Sequence, residues 1–332
     1  MTEGLLREVW HDAPVHQAAV EEAFREHRGF LWGLSYRMVG NAADADELVQ
    51  ETFLRALTHP PPDPARPWRP WLTRVAMNLG RDLLRRRRRR RYDGPWLPGP
   101  VPTDANGLPG EPADPSPGPG ARYDRLESVT LAFLLALEAL SPAQRAVLLL
   151  RDVFDYSVRE TADALEMSEA NVKTTHLRAR RVMASYDLRR GVPPTAEAVR
   201  SGRALERLLS CLAQGDAAGV ESLLAADVVS TSDAGGEFAA ARRQVSGAAA
   251  VAHLYLGLAK KGGRVAGLRW LTLNGGPAVE IRFSGSPAGW APRTILQVDT
   301  DAEGRVRRLY SVMATCKLTA VDAGAGSANV SP

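Results

Sequence analysis

The sequence predicts a multidomain chain, two all-α units followed by an α+β domain. Three observations carry that prediction. Apolar residues recur at helical spacing up to about residue 190, with cap residues at the helix starts. A Pro/Gly-rich stretch, 92–122, divides this helical part in two. From 227 to 313 the pattern becomes strand-like, with one helix among the strands. The 332 residues exceed what one ordinary domain needs, which fits this division.

The first helix spans 16–40, where Val20, Phe24, Leu31, Leu34 and Met38 share a face. A second runs from Ala43 to Leu57, with Leu48, Val49, Phe53 and Leu57 on one side. Asp44, Asp46 and Glu47 sit in its first turns, where the helix dipole favours acids. After a Pro-rich break at Pro60–Pro70, a third helix leads from Trp68 into the arginine run. Residues 92–122 hold nine prolines and six glycines, a density that excludes helix and sheet and predicts an extended, mobile linker. Beyond it, Ser141-Pro142 with Gln144, and Ser157 with Glu160, read as capping boxes, and Ser168 as a further N-cap. Helices therefore start near 142, 158 and 169. The last two, joined by a very short turn, form a helix-turn-helix. In the last part, helices are expected at 196–214, 216–225 and 247–260. Strands are expected at 227–232, 238–245, 264–273, 277–284, 292–299 and 305–313, with Asn274-Gly275-Gly276 as a hairpin turn.

Composition narrows the function. The longest apolar run, Leu131–Leu137, is too short for a membrane span, and no secretory signal is visible, so a cytoplasmic location is expected. Cys211 and Cys316 are too few for a disulfide framework or a four-ligand zinc site, and neither a metal nor a cofactor is expected. Net charge is only +4, but it is segregated. Residues 66–91 hold eleven arginines against the single acid Asp82, whereas 44–51 hold four acids and no base. One surface therefore suits a polyanion and another a basic partner. Seven consecutive arginines, Arg85–Arg91, point all round a helix and suit phosphate neutralisation on nucleic acid, although an RNA-binding tail or a solvated spacer has the same composition. The second helix of the helix-turn-helix carries Asn171, Lys173, Thr174, Thr175, His176, Arg178, Arg180 and Arg181, whose amide, hydroxyl and guanidinium groups can reach base edges and phosphates.

At this point the chain resembles a known family. "NAADADELVQETFLRAL" (41–57) is similar to the core-binding helix of sigma region two, and "RPWLTRVAMNLGRDLLRRRRRR" (69–90) to the helix that melts and reads the minus-ten element. "LSPAQRAVLLLRDVFDYSVRETADALEMSEANVKTTHLRARRVM" (140–183) resembles sigma region four, the minus-35 reader. "GPWLPGPV" (94–101) and 223–261 resemble the linker and cone of extracytoplasmic-function sigma factors that carry a C-terminal SnoaL-like domain. The implied units are 12–91 (region two), 92–122 (linker), 123–190 (region four), 195–320 (SnoaL-like) and 321–332 (tail). The implied partners are core RNA polymerase, through its β′ and β subunits, and promoter DNA, with a small ligand or partner at the C-terminal domain and a monomeric free state.

The resemblance implies roles for individual residues. Asp44, Asp46, Glu47, Gln50 and Glu51 would dock on a basic coiled coil of β′. Asn78 and Asp82 would hold a flipped-out minus-ten base, Arg81, Arg85 and Arg86 would hold phosphates, and Trp68 and Trp71 would stack at the melted fork, though Trp71 also suits a core role. Ser168, Asn171, Lys173, Thr174, Thr175, His176, Arg178 and Arg181 would meet the minus-35 element. Trp96, Leu97 and Pro98 would anchor the cone, with Asp233, Gly235, Gly236 and Glu237 as the contacting motif. The sequence departs from the family pattern at Glu166, where a turn glycine is usual, at Thr175-His176-Leu177, at Glu237 in place of a lysine, and at Ala314–Leu318. Relatives of the cone include isomerases, so His253, Tyr255, Trp270, Trp290 and Asp299 are candidate pocket residues. His253 suits a packed or capping role on its helix better than a catalytic one, and only this one His and scattered acids are available for an acid-base pair, so the domain reads as regulatory rather than enzymatic. Two other functions fit less of the chain: a stand-alone ligand-responsive helix-turn-helix regulator, and a SnoaL-like enzyme with a DNA-binding arm.

Overall fold

A computed structural model describes residues 13–61, 63, 66–89, 92–104, 107–112, 121–188 and 194–323. The N-terminus before Ala13, Arg90, Arg91 and the last nine residues lie outside the described residues.

Three helices, α1 (Ala13–Val39), α2 (Ala42–Thr58) and α3 (Trp68–Arg89), form the first unit. They close on Leu31, Leu34, Leu48, Val49, Phe53, Leu72, Ala76 and Met77, the residues that the helical spacing aligns. The second unit holds α4 (Leu131–Leu137), α5 (Pro142–Leu148), α6 (Val158–Leu165) and α7 (Glu169–Asp187). Both expected capping boxes form, at Ser141/Gln144 and Ser157/Glu160. Helix α4 was not anticipated as a separate element. Its apolar run has no periodicity, and its start is set by the Thr130 hydroxyl accepting from the Phe133 N–H. Helix α5 runs on into a π-helical turn, Leu149–Val153.

The two helical units share one apolar core rather than standing apart. Phe30 of α1 meets Phe154 edge-on at 5.4 Å. Arg37, fully buried in α1, donates to Ser128 Oγ at 2.7 Å.

Residues 194–323 form an α+β cone. Helices α8 (Pro194–Gln214), α9 (Ala217–Leu223) and α10 (Ala248–Lys261) accompany a six-stranded sheet of order β2-β1-β6-β5-β4-β3. Its strands are β1 (Leu224–Asp233), β2 (Val245–Ser246), β3 (Arg264–Leu273), β4 (Gly276–Ser284), β5 (Arg293–Thr300) and β6 (Val306–Val312). Only β1 and β6 pair in parallel. Leu205, Leu208, Val251, Val279, Leu296 and Leu309 fill the space between helices and sheet. The hairpin β3–β4 closes with Leu273 opposite Gly276, and Asn274 (φ 50°) and Gly275 (φ 73°) form the left-handed pair that a two-residue turn needs.

Three expectations are corrected. Residues 238–245 are not a strand: only Val245–Ser246 pairs, because the chain first turns through Gly235 and Gly236, both at positive φ. A short helix, α11 (Thr319–Ala323), straddles the expected end of the cone at 320. The described part of the linker is packed, not mobile. Leu97, Val101 and Leu108 are buried. Asn274 N–H donates to Val101 O (2.9 Å) and Thr103 N–H to Thr272 O (3.2 Å), so the linker extends the sheet beside β3. Prolines forbid helix, but an extended chain still offers its remaining amides and carbonyls to an open strand edge.

Candidate nucleic-acid and polymerase interface

Helix α3 divides its polar residues between outside and inside. Asp82, Arg85 and Arg86 are exposed, Asn78 is half-buried, and Arg85 is ion-paired to Asp82 at 2.7 Å. Arg81 turns inward, donating to Asn78 Oδ1 (3.2 Å) and to Leu165 O at the end of α6 (3.0 Å). Arg87 donates to Val39 O (2.8 Å), pairs with Glu138 (3.2 Å) and lies 4.0 Å over the Trp96 ring. Arg88 donates to Leu140 O. The acceptors Val39 O and Leu165 O lie at helix C-termini, where carbonyls carry partial negative charge, and Leu140 O lies in the turn between α4 and α5. Of the arginines expected on phosphate, Arg85 and Arg86 face solvent and Arg81 does not. Trp68 and Trp71 are both half-buried against the helical core, which favours packing over free stacking.

On α2, Glu47 and Gln50 are exposed. Asp46 accepts from the Trp32 indole at 2.7 Å, and Glu51 from Arg55 at 3.0 Å. Asp44 is half-buried, and burial raises its carboxyl above the ordinary range. The turn Thr315–Lys317 and α11 pack on this helix. Further along, Leu54 and Leu57 are exposed, and Glu51, Leu54, Arg55, Thr58, His59 and Trp71 line an open cavity of about 560 Å³ between α2 and α3. An exposed apolar ridge beside acids is suited to a basic, amphipathic partner helix.

The recognition helix α7 begins at Ser168, whose hydroxyl caps it by accepting from Asn171 N–H (3.2 Å). Glu166 holds the left-handed position of the preceding turn (φ 53°, ψ 49°), at a cost of about 1 kcal/mol relative to glycine. Asn171, Lys173, Thr174, Arg178 and Arg181 are exposed. Thr175 and His176 are not available as base readers. Thr175 is buried and donates to Asn171 Oδ1 (3.2 Å), and His176 meets Asp152 Oδ1 at 2.9 Å. Arg180 pairs with the same carboxylate at 2.6 Å. Burial alone would raise the Asp152 carboxyl, but the His176 and Arg180 hydrogen bonds outweigh it and hold it below the ordinary value. Sequence reading missed Asp152. Its signal was a lone acid in the apolar stretch 146–154, which needs a buried partner.

Among the described residues two polar clusters join the cone to the linker and the helical units, beside the packing of Thr315–Lys317 and α11 on α2. Asp233, buried, accepts from Tyr92 Oη (2.6 Å), Leu97 N–H (2.7 Å) and Lys317 Nζ (2.5 Å). Lys317 also donates to Leu97 O (2.6 Å) and lies 4.1 Å from the Trp96 ring, and its burial lowers its pKa to about 8. Trp96 is thus held between Arg87 and Lys317 and fits over Gly40, where a Cβ would approach its ring to 2.8 Å. Gly235 N–H donates to Asp233 Oδ1, and Glu237 accepts from Thr315 N–H, so an acid suits the position where a lysine was expected. Pro98 continues the buried segment. In the second cluster, Asn274 at the β3–β4 tip donates to Tyr36 Oη (2.7 Å) and Val129 O (2.9 Å) and accepts from Val101 N–H (3.2 Å). One side chain therefore joins both helical units and the linker to the cone.

The pocket candidates do not converge. His253 is exposed rather than packed, and Trp270 is also exposed. Trp290 is half-buried, Tyr255 is buried between Ser230 and Ser311, and Asp299 accepts from Tyr310 Oη.

Comparison with known proteins agrees with this layout. Residues 23–90 match the family model Sigma-70 region 2, and residues 130–183 match Sigma-70, region 4. The ECF RNA polymerase sigma factor SigJ of Mycobacterium tuberculosis is 37% identical over 245 residues, covering 73% of each chain. SigG of the same organism is 41% identical over 175 residues, 46% of this chain and 45% of that one. The crystal structure of SigJ superposes with a TM-score of 0.64 at 28% identity, covering 90% of this chain and 98% of that one. Two helical units built for polymerase and promoter define an RNA polymerase specificity subunit. The chain belongs to the extracytoplasmic-function sigma factors of the sigma-70 family, with a C-terminal SnoaL-like domain. Such factors bind core RNA polymerase and promoter DNA. Among the described residues no helix is long and apolar enough to cross a membrane.

Proposed function

We propose that this sigma factor is held closed by its own C-terminal domain, which clamps the two promoter-reading units together until polymerase, DNA or a ligand of the cone releases them. The observation that carries this is the shared core of the two helical units, with Arg81 of the minus-ten helix bonded to Leu165 O of the helix-turn-helix at 3.0 Å. The two promoter elements lie about 25 base pairs apart, on the order of 80 Å along B-DNA. Units packed into one core cannot span that distance, so promoter engagement requires them to separate. The cone ties the closed form at Asp233 and at Asn274.

In the open form, Asp44, Asp46, Glu47, Gln50 and Glu51 dock on β′, and the α7 unit on β. Asn78 and Asp82 receive the minus-ten base, with Arg81, Arg85 and Arg86 on phosphates. Asn171, Lys173, Thr174, Arg178 and Arg181 meet the minus-35 element. The cone is a brace and sensor, not an enzyme: His253, Tyr255, Trp270, Trp290 and Asp299 do not converge on one pocket. The protein acts in the cytoplasm and is a monomer when free. The division at 92–122 and 195 marks the pieces that move.

Run-off transcription tests the reading, with purified core polymerase, the full chain and fragmented genomic DNA. Discrete transcripts that vanish in the Asn78→Ala, Asp82→Ala double variant are expected. Asp233→Asn, which strands Lys317, is expected to change their yield without loss of core binding. No core binding overturns the reading, and unaltered transcription by Asp233→Asn overturns the clamp.

A further inference from the structure

Helix α7 is anchored along one side by Val172, Thr175, Ala179, Met183 and Tyr186, all buried. Asp152 ties down His176 and Arg180 next to that side. At 100° per residue the opposite side is centred on Thr174, Leu177 and Arg181. Lys173 and Arg178 flank it, and all of these polar residues are exposed. Leu177 is 53% exposed in the midst of them. Ala170 and Ala184 share this face but reach no farther than Cβ, so Leu177, amid Lys173, Thr174, Arg178 and Arg181, is a long apolar side chain with no core to fill. It can neither donate nor accept a hydrogen bond, so it reads neither phosphate nor a polar base edge.

The cations on either side of it fit a polyanion, and the major groove of DNA exposes one apolar feature, the C5 methyl of thymine. We infer that Leu177 is a specificity-determining residue that reads the methyl group of a thymine in the minus-35 element. It takes the place of the hydrogen-bonding readers that Thr175 and His176 would have supplied had they not turned inward. The inference rests on α7 being the minus-35 reader.

The chemistry sets the test. Promoters are recovered by run-off transcription. At each pyrimidine of the minus-35 element, four duplexes are then made carrying thymine, uracil, cytosine or 5-methylcytosine. Open-complex formation by the full chain with core polymerase is measured on each, for the natural protein and for Leu177→Ala. Because Leu177 is exposed, Leu177→Ala is expected to fold normally. Burying one methyl-sized group supports a ratio of about fourfold. At one position, thymine over uracil and 5-methylcytosine over cytosine are both expected near that ratio for the natural protein, and near one for Leu177→Ala. Leu177→Met is expected to retain it. Ratios near one in the natural protein, or ratios that Leu177→Ala leaves unchanged, overturn the inference while α7 stays the minus-35 reader. Transcripts indifferent to the whole minus-35 sequence, and to Arg178→Ala with Arg181→Ala, overturn the reading of α7 itself and the inference with it.

Discussion

Replacing Asn274 with alanine is expected to loosen the junction of cone and helices without unfolding the cone. The side chain is buried and makes three hydrogen bonds, to Tyr36, Val129 and Val101. Each contributes about 1 kcal/mol net, and a stranded buried partner costs roughly 1–3 kcal/mol. Tyr36 Oη keeps its bond to Gly99 O, so the stranded groups are Val129 O and Val101 N–H. With one bond lost and two groups stranded, the loss is about 3–7 kcal/mol. Alanine at φ 50° adds about 1 kcal/mol of backbone strain that Asn274→Gly avoids. Hydrogen exchange on the full chain separates these contributions. A loss of about 3 kcal/mol from junction opening raises exchange at 95–103 roughly a hundredfold in both variants, with β5 and β6 still protected. Unchanged exchange at 95–103 in Asn274→Ala refutes the reasoning, and so does equal loss of protection in β5 and β6, which would make the junction inseparable from the cone.

Other perturbations act at named sites. Asp152→Asn is expected to lower stability by about 1–3 kcal/mol, since His176 and Arg180 can turn to water, and to weaken minus-35 binding because α7 loses its side anchor; denaturant titration and promoter binding read these separately. Glu166→Gly relieves a left-handed non-glycine residue and is expected to raise stability by up to about 1 kcal/mol, seen as a higher denaturation midpoint. Lys317 has a pKa of about 8 when docked, lowered by burial despite Asp233, with Arg87, Cys316 and Tyr92 also beside it. Released to solvent it returns to about 10.5, so between about pH 8 and 9 the open form binds more protons and rising pH favours closure, by up to about 1.4 kcal/mol per pH unit; at higher pH Cys316 and Tyr92, both raised by burial in the docked form, oppose it. Exchange at 95–101, corrected for intrinsic rate, is expected to slow across that window and to lose the trend in Lys317→Met.

The helices and their caps were legible because a cap is a local device. Ser141, Ser157 and Ser168 each bond an amide three residues on, and no distant group is needed. The hairpin at Asn274-Gly275 was legible for the same reason. Helix α4 was hidden by its uniform apolarity, and residues 238–245 looked like a strand although the glycine turn before them leaves no edge to pair with. What the sequence could not disclose was tertiary pairing. His176 looked like a base reader until Asp152, 24 residues away, claimed it, and Lys317 finds Asp233 across 84 residues. The linker misled most. Its prolines argued for mobility, yet Glu111 is buried as the shared partner of Arg37 and Arg125, which fixes it to the seam between the two helical units. A buried carboxylate neutralising two guanidiniums is not displaced cheaply.

The arginine helix ties these features together. A run of cations all round a helix cannot give every member to one ligand. In the closed arrangement Arg81 and Arg87 take the carbonyl ends of helices and Glu138, and Arg88 takes Leu140 O in the turn before α5, while Arg85 and Arg86 remain outside. Helix ends and a carboxylate offer those guanidiniums the same chemistry as a phosphate, oxygen acceptors with negative charge. Closure and promoter engagement on this reading both draw on Arg81, so at that side chain each excludes the other. Arg85, paired with the exposed Asp82, and Arg86 lie at the surface and are placed to meet DNA first. A polyanion that recruits Arg81 next must remove it from Leu165 O, which is the contact that joins the minus-ten helix to the helix-turn-helix.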